Sequence, residues 1–369
     1  MLRPTAIIGA LGLTAIAFAA AAVSVGAEEN DEQTAALTTS VFAQGGPIPG
    51  GKTVSKPDDI TSLEGRIFIS WQNGVGPKGE PAGSVTQSTI VEYSTNGKVI
   101  NSWQLTGRCD GMSADTEHGR IIATVNEDAN SSLYVIKPDE DGGSQLLHYT
   151  YSPNPPAHGG GTDAPHIYRG QIFISASNPS DPSQPAVYRA TLSGATASLT
   201  PVFFDNSTAT IANTNDPAHG TQTTLGLADP DSNFVVPRSS PRFAGDFVLD
   251  SQGDGQQIYV HDAGTTKQQL YLLNLSGAGA STAVDDTIWA TSSRGTLYAT
   301  EGSSAVYAIR GRFVAGTAYS AVSPANANTP GTEPNWLATV DLNTGALTHV
   351  ASVTIHPKGL LFIGSEEQD

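Results

Sequence analysis

The sequence predicts an all-β fold, a β-propeller, and three observations carry that expectation. First, one module recurs at intervals of roughly fifty to seventy residues, the self-similarity that marks propeller blades. Asp110-Gly111-Met112-Ser113 leads into Gly119-Arg120-Ile121-Ile122-Ala123-Thr124, and Asp163-Ala164-Pro165-His166 into Gly170-Gln171-Ile172-Phe173-Ile174-Ser175. Asp286-Thr287-Ile288-Trp289 leads into Gly295-Thr296-Leu297-Tyr298-Ala299-Thr300. Second, charged residues make up only 14% of the 369 residues, and Gly, Ser, Thr and Asn are abundant, a balance that suits strands and turns. Third, the final run, Gly359-Leu360-Leu361-Phe362-Ile363, aligns with the first strand of a blade. A C-terminal strand that joins the N-terminal blade would close the ring and remove two exposed edges. Six blades fit the count best, seven second.

The elements follow in order. Residues 1–27 read as a signal peptide. Arg3 gives a positive start, Ile7 to Val23 an apolar run, and Val25-Gly26-Ala27 a small-residue cleavage site. A secreted, extracellular protein follows, with an uncleaved membrane anchor as the second reading and no transmembrane span in the mature chain. Residues 28–56, acidic and then rich in Thr, Ala, Gly and Pro, read as a flexible linker. Residues 57–369 read as the propeller, a monomer. Blade one holds Arg66–Trp71, Thr89–Tyr93 and Val99–Trp103, the last two joined by a hairpin at Asn96-Gly97. Blade two adds Ser132–Ile136 and Gln145–Tyr149, and blade three Ala186–Ala190 and Leu199–Phe203. Blade four opens at Asp231. Blade five runs from Asp286 through Gly295–Thr300 to Ala305–Ile309. A sixth unit takes Ala318–Val322, Trp336–Asp341 and Ala346–Val350. Trp71, Trp103, Trp289 and Trp336 fall in strand patterns as core between blades.

Charge excludes one class of partner. Eighteen Lys and Arg against 35 Asp and Glu give a net charge of −17, with no basic stripe to neutralise nucleic-acid phosphates. The single cysteine, Cys109, allows no intrachain disulfide and reads as a small buried hydrophobe.

In a propeller the innermost strands converge on a central channel, and their leading residues ring its mouth. Here those residues are Asp59, Asp110, Asp163, Asp231, Asp286 and Lys358. Carboxylates so gathered repel unless protonated or neutralised by a cation such as Ca²⁺, so Asp110, Asp163, Asp231 and Asp286 are candidate metal ligands. The other reading is that Asp at a loop-to-strand junction caps backbone N–H groups. Pro-Ala-His-Gly occurs twice, at His158 and His219, and His356 also precedes a predicted inner strand. With His166, Asp163 and Lys358 these are candidate ligand-binding groups; imidazoles among carboxylates can bind a metal or act as a base. No residue stands out as a nucleophile. Gly74 to Gly79 matches the dinucleotide spacing but carries Pro and precedes no helix. His158-Gly159-Gly160-Gly161 lacks an accompanying nucleophile elbow.

Arrays of this kind resemble NHL-repeat and gluconolactonase-like propellers. Several segments, among them His158–Asp163, Asp229-Pro230-Asp231-Ser232, Val284–Thr287 and His356-Pro357-Lys358-Gly359, resemble an uncharacterised family of secreted actinobacterial propellers over most of residues 60–364. That resemblance implies the fold and no activity. The gluconolactonase likeness implies a divalent metal at the channel mouth held by Glu, Asn and Asp, although this chain does not match that motif position by position. Two functions follow as expectations: a binding module for an extracellular ligand or protein, or a divalent-metal-dependent hydrolase or lactonase.

Overall fold

The computed structural model describes residues 37–365 apart from 157–160, 178–180, 278–281, 303–304 and 325–334. The expected signal peptide and the first part of the expected linker lie outside the described residues. Among those described, no helix is long and apolar enough to cross a membrane.

The strands form an all-β propeller, as the repeat predicts. They group into antiparallel four-stranded blades, numbered here by their inner strands along the chain. Blade 1 is Pro57–Leu63, Arg66–Trp71, Gln87–Ser94 and Val99–Thr106. Blade 2 is Cys109–Asp115, Arg120–Val125, Ser132–Ile136 and Leu146–Ser152. Blade 3 is Thr162–Tyr168, Gln171–Ala176, Pro185–Ser193 and Thr196–Phe204. Blade 4 is Pro230–Val235, Phe247–Ser251, Gln256–His261 and Gln269–Asn274, extended outward by Thr208–Ile211 and Gln222–Thr224. Blade 5 is Thr282–Trp289, Ala318–Pro324, Trp336–Val340 and Leu347–His349. Blade 6 has Pro357–Gly364 innermost, then Arg294–Glu301, Ala305–Arg312 and Thr38–Gln44 outermost.

Each inner strand packs against the next, and that of blade 6 packs against that of blade 1. An apolar cluster fills each gap. Phe68, Trp103 and Tyr134 lie between blades 1 and 2, and Tyr168, Phe173 and Phe247 between blades 3 and 4. Trp71 and Tyr298 lie between blades 6 and 1. Three of the four tryptophans, Trp71, Trp103 and Trp289, are buried in this core.

Three expectations need correction. Residues 38–44 are not linker: they pair antiparallel with Ala305–Arg310 as the outer strand of blade 6. The C-terminal strand is an inner strand, but it pairs with Gly295–Glu301 rather than with blade one, so the two ends of the described chain meet in blade 6. Blade five also differs from its expected composition. Thr282–Trp289 pairs with Ala318–Pro324, while Arg294–Glu301 belongs to blade 6. The hairpins that follow the inner strands of blades 1 to 3 close on a glycine with positive φ, Gly65, Gly119 and Gly170. The link 290–293 has none, and the chain crosses to the next blade before returning.

A buried polar side chain recurs near the end of the second strand, after an apolar run: Ser70, Thr124, Ser175, Asp250 and Thr300, with Ser320 in blade 5, all at most 2% exposed. Each binds its own inner strand, and together with neighbouring side chains they tie every blade to the next. Asp59 accepts from Met112 N–H, and Thr124 donates to the Asp163 carbonyl. Asn233 donates to the Ala164 carbonyl at 2.6 Å, and Gln257 to Thr287 Oγ1 at 2.9 Å. Asp286 accepts from Leu360 N–H, and Thr300 donates to the Asp58 carbonyl. Such close approach needs small residues: a Cβ on Gly111 would lie 2.4 Å from Ala164 Cα, and one on Gly359 2.4 Å from the Asp58 carbonyl oxygen.

Gly111→Ala should therefore destabilise by about 2 kcal/mol or more, as overpacking a tight site does, and Thr124→Val by about 1–3 kcal/mol through two orphaned carbonyls. Gly143→Ala, with nothing within 4 Å of the added Cβ, is the neutral control. Urea melts read all three. Asp205 carries a different strain: its carboxylate is buried with neither oxygen hydrogen-bonded, and burial pushes its pKa up to about 8. Asp205→Asn should stabilise the fold above pH 8 on the order of 2 kcal/mol, with a smaller gain at pH 5; thermal melts at the two pH values check this.

Candidate functional site

Every inner strand carries a register shift near its start, at Pro57/Ile60, Cys109/Gly111, Thr162/Pro165, Pro230/Asn233, Val284/Asp286 and opposite Ala299/Glu301. A bulge adds a residue to one strand and re-aims its side chain. The residues in these bulges line one cavity of about 440 Å³ at the centre of the ring: Asp58, Asp110, Asp163, Asp231, Asp285 and Lys358. Glu127, Asp128, Asp229 and Arg108 stand beside them. Three positions farther along the strands, about 10 Å at strand rise, the same cavity is lined by Thr61, Ser113, His166, Phe234, Ile288 and Leu361. The site is an acidic collar set above a layer that is hydroxylic on blades 1 and 2 and mostly apolar on blades 3 to 6.

The collar is not uniform. On one side its charges are compensated. Arg108 Nε lies 2.7 Å from Asp110 and Nη1 lies 3.0 Å from Glu127. Lys358 Nζ lies 3.3 Å from Asp58. Asp285 accepts from Gln252 and, at 2.9 Å, from Asn335. Asp58 is the chief influence raising the Lys358 pKa, so the ammonium stays charged. On blades 3 and 4, Asp163 and Asp231 line the same cavity with no such pairing. Among the described residues no hydrogen bond or ion pair reaches either carboxylate, and Asp163 is 5% exposed. Burial first, then neighbouring carboxylates, push both pKa values well above the usual range.

The structure sorts the sequence candidates. Asp110, Asp163, Asp231, His166 and Lys358 line the cavity. Asp286 touches it, but its carboxylate is committed to the Leu360 and Thr287 N–H groups, and Asp59 is likewise committed to Met112 and Ile60. In blades 5 and 1 the collar position belongs to the preceding residue, Asp285 and Asp58. His219 is exposed in a turn beyond Thr208–Ile211, and His356 is exposed with Nδ1 2.8 Å from the Asn335 carbonyl; neither lines the cavity. His158 lies outside the described residues. His166 packs against Phe234 with ring centroids 4.9 Å apart, and Ser113 Oγ is 3.4 Å from its Nδ1. Burial lowers the His166 pKa to about 4, so the ring is neutral and a weak base at neutral pH. Among the described residues no three His, Cys, Asp or Glu side chains lie close enough to share a metal ion.

Sequence reasoning missed Glu127, Asp229, Arg108 and Phe234. Arg108 and Asp229 were within reach, since each stands two residues before a collar aspartate. Nothing local marks Glu127 or Phe234.

The fold and cavity define a β-propeller with a central-channel site. No family model matches the sequence, and no curated protein does. Solved structures with a similar course of chain include the periplasmic gluconolactonase of Pseudomonas aeruginosa, with 12% identity over 85% of this chain and 90% of that one and a TM-score of 0.46. A Bacteroides caccae protein of unknown function shares 8% over 83% and 86%, TM-score 0.46. A Lactobacillus plantarum protein shares 12% over 85% and 90%, TM-score 0.43. At this distance the likeness carries no argument about activity.

Two outcomes test the collar. Folding raises the pKa of Asp285 to about 6 and of Glu127 and Asp59 to about 7. The folded state thus holds protons that the unfolded chain releases near pH 4. The stabilisation from those protons is complete below that pH and lost as pH rises through 6 to 7. The melting temperature should fall by several degrees between pH 5 and pH 8. At pH 8, Asp163→Asn and Asp231→Asn should each raise the melting temperature, while Asp286→Ala should lower it by orphaning two N–H groups, a cost of about 1–3 kcal/mol.

Proposed function

We propose that this propeller is a binding module whose central cavity captures a cationic ligand. One observation carries the reading: Asp163 and Asp231 line the same cavity, and among the described residues no hydrogen bond or ion pair reaches either carboxylate. Two such carboxylates cost free energy in the empty protein, and a bound cation removes that cost. The cavity volume lies in the range of small-molecule sites. The one histidine on the wall is a weak base at neutral pH, and Glu127, the collar carboxyl raised to about 7, is held by Arg108, which favours capture over hydrolysis. The N-terminal signal-like segment supports a ligand met outside the cell.

The test is calorimetric titration at low ionic strength with spermidine, Ca²⁺ and, as an anionic probe, gluconate. Saturable binding of a cation that is lost in the Asp163→Asn/Asp231→Asn double variant supports the reading. Preferential binding of the anion, or cation binding that the double variant leaves unchanged, overturns it. A divalent cation that binds at the collar and also supports lactone hydrolysis would move the assignment to the metal-dependent hydrolase.

A further inference from the structure

We infer that the occupant is an organic ammonium ion with an apolar body, not a bare metal ion; the inference rests on the cation-binding reading above. The argument is one of placement. The uncompensated carboxylates, Asp163 and Asp231, belong to blades 3 and 4. His166 and Phe234 occupy the same two inner strands three residues farther along, and they pack on each other. Ile288 and Leu361 continue that apolar wall around blades 5 and 6. Phe234 is held by Trp289, stacked at 5.9 Å with planes 11° apart. The wall is therefore rigid and its aromatic faces are fixed.

A metal ion would use only the collar and would need several oxygens converging on one point. The described carboxylates do not converge in that way. Arg108 lies against Asp110 and Glu127, Lys358 against Asp58, and amides hold Asp285, which leaves the blade 3–4 side as the place for an added positive charge. An ammonium group supplies that charge through N–H donors spread over two carboxylates. Its hydrocarbon body then replaces water along His166, Phe234 and Ile288, a neutral surface that a hydrated metal ion would leave unused. Ser113, beside His166, and Thr61 offer hydroxyls to a polar substituent.

The experiment compares probes on the wild-type protein by titration calorimetry: benzylammonium, methylammonium, benzyl alcohol and Ca²⁺ alone. Benzylammonium should bind at least about tenfold more tightly than any of the other three, with a negative heat-capacity change from apolar burial. Phe234→Leu should remove most of the advantage of benzylammonium over methylammonium and leave methylammonium unchanged; the wild-type ranking stands even where that variant is unstable. If Ca²⁺ binds more tightly than benzylammonium, or methylammonium matches it, the organic-cation assignment fails while cation capture survives. If benzyl alcohol matches benzylammonium, or no probe binds, both fail.

Discussion

One interaction closes this ring: a side chain of one blade reaching the inner strand of the next. It takes three forms, each at two gaps. A carboxylate accepts an N–H from Asp59 to Met112 and from Asp286 to Leu360. A hydroxyl donates from Thr124 and from Thr300. An amide bridges from Asn233 and from Gln257. Bulged inner strands leave carbonyls and N–H groups that no ladder satisfies, and buried backbone polar groups must be satisfied somewhere. The ties meet that need and set the spacing of the blades in the same act. They also dictate the small residues at Gly111 and Gly359, since the strands they link come too close for a Cβ.

The site is a by-product of those bulges put to use. Each bulge re-aims one residue into the channel, and the sequence places an acid there in five blades and Lys358 in the sixth. Two of the acids, Asp110 and Asp58, are then paired with a cation, and a third, Asp285, with amides. If the collar served only to cap strands, Asp163 and Asp231 would have partners too. Asp59 and Asp286 show what a capping aspartate looks like in this protein, with both oxygens on backbone N–H groups. Carboxylates left without partners in a closed fold cost stability, a cost that the proposed cation would remove.

The repeat was legible because several second strands read as an apolar run ending in a hydroxyl, as in Ile67-Phe68-Ile69-Ser70 and Ile172-Phe173-Ile174-Ser175. The acid collar was legible for the same reason, one aspartate per module. It was misread by one residue where two aspartates adjoin, at Asp58-Asp59 and Asp285-Asp286, because a bulge shifts the register and no alternation pattern shows which residue it displaces. The crossing of the chain between blades 5 and 6 depends on pairing between residues 295 and 364, which no local signal encodes. Thr38–Gln44 reads as linker because five of its seven positions, Thr38 to Val41 and Gln44, are exposed in the folded strand and so need no apolar pattern. Of the two Pro-Ala-His-Gly histidines, His219 misled because a repeated string is not a repeated position: it lies outside the inner-strand frame that the aspartates share.

The placement of charge on blades 3 and 4 also separates the two functions that a central acid ring allows. Catalysis at such a ring needs a poised base or an activating metal. Glu127, the collar carboxyl that burial raises to about 7, is paired with Arg108, and His166 is held neutral by its apolar contacts with a pKa of about 4. Those contacts, with Phe234 above all, are of use to a ligand's hydrocarbon and of no use to proton transfer. The side of the channel with negative charge to spare is thus the side furnished with apolar surface. Recognition of a cation with a body attached asks for both on the same wall, and neither a metal centre nor a purely structural ring requires them to coincide.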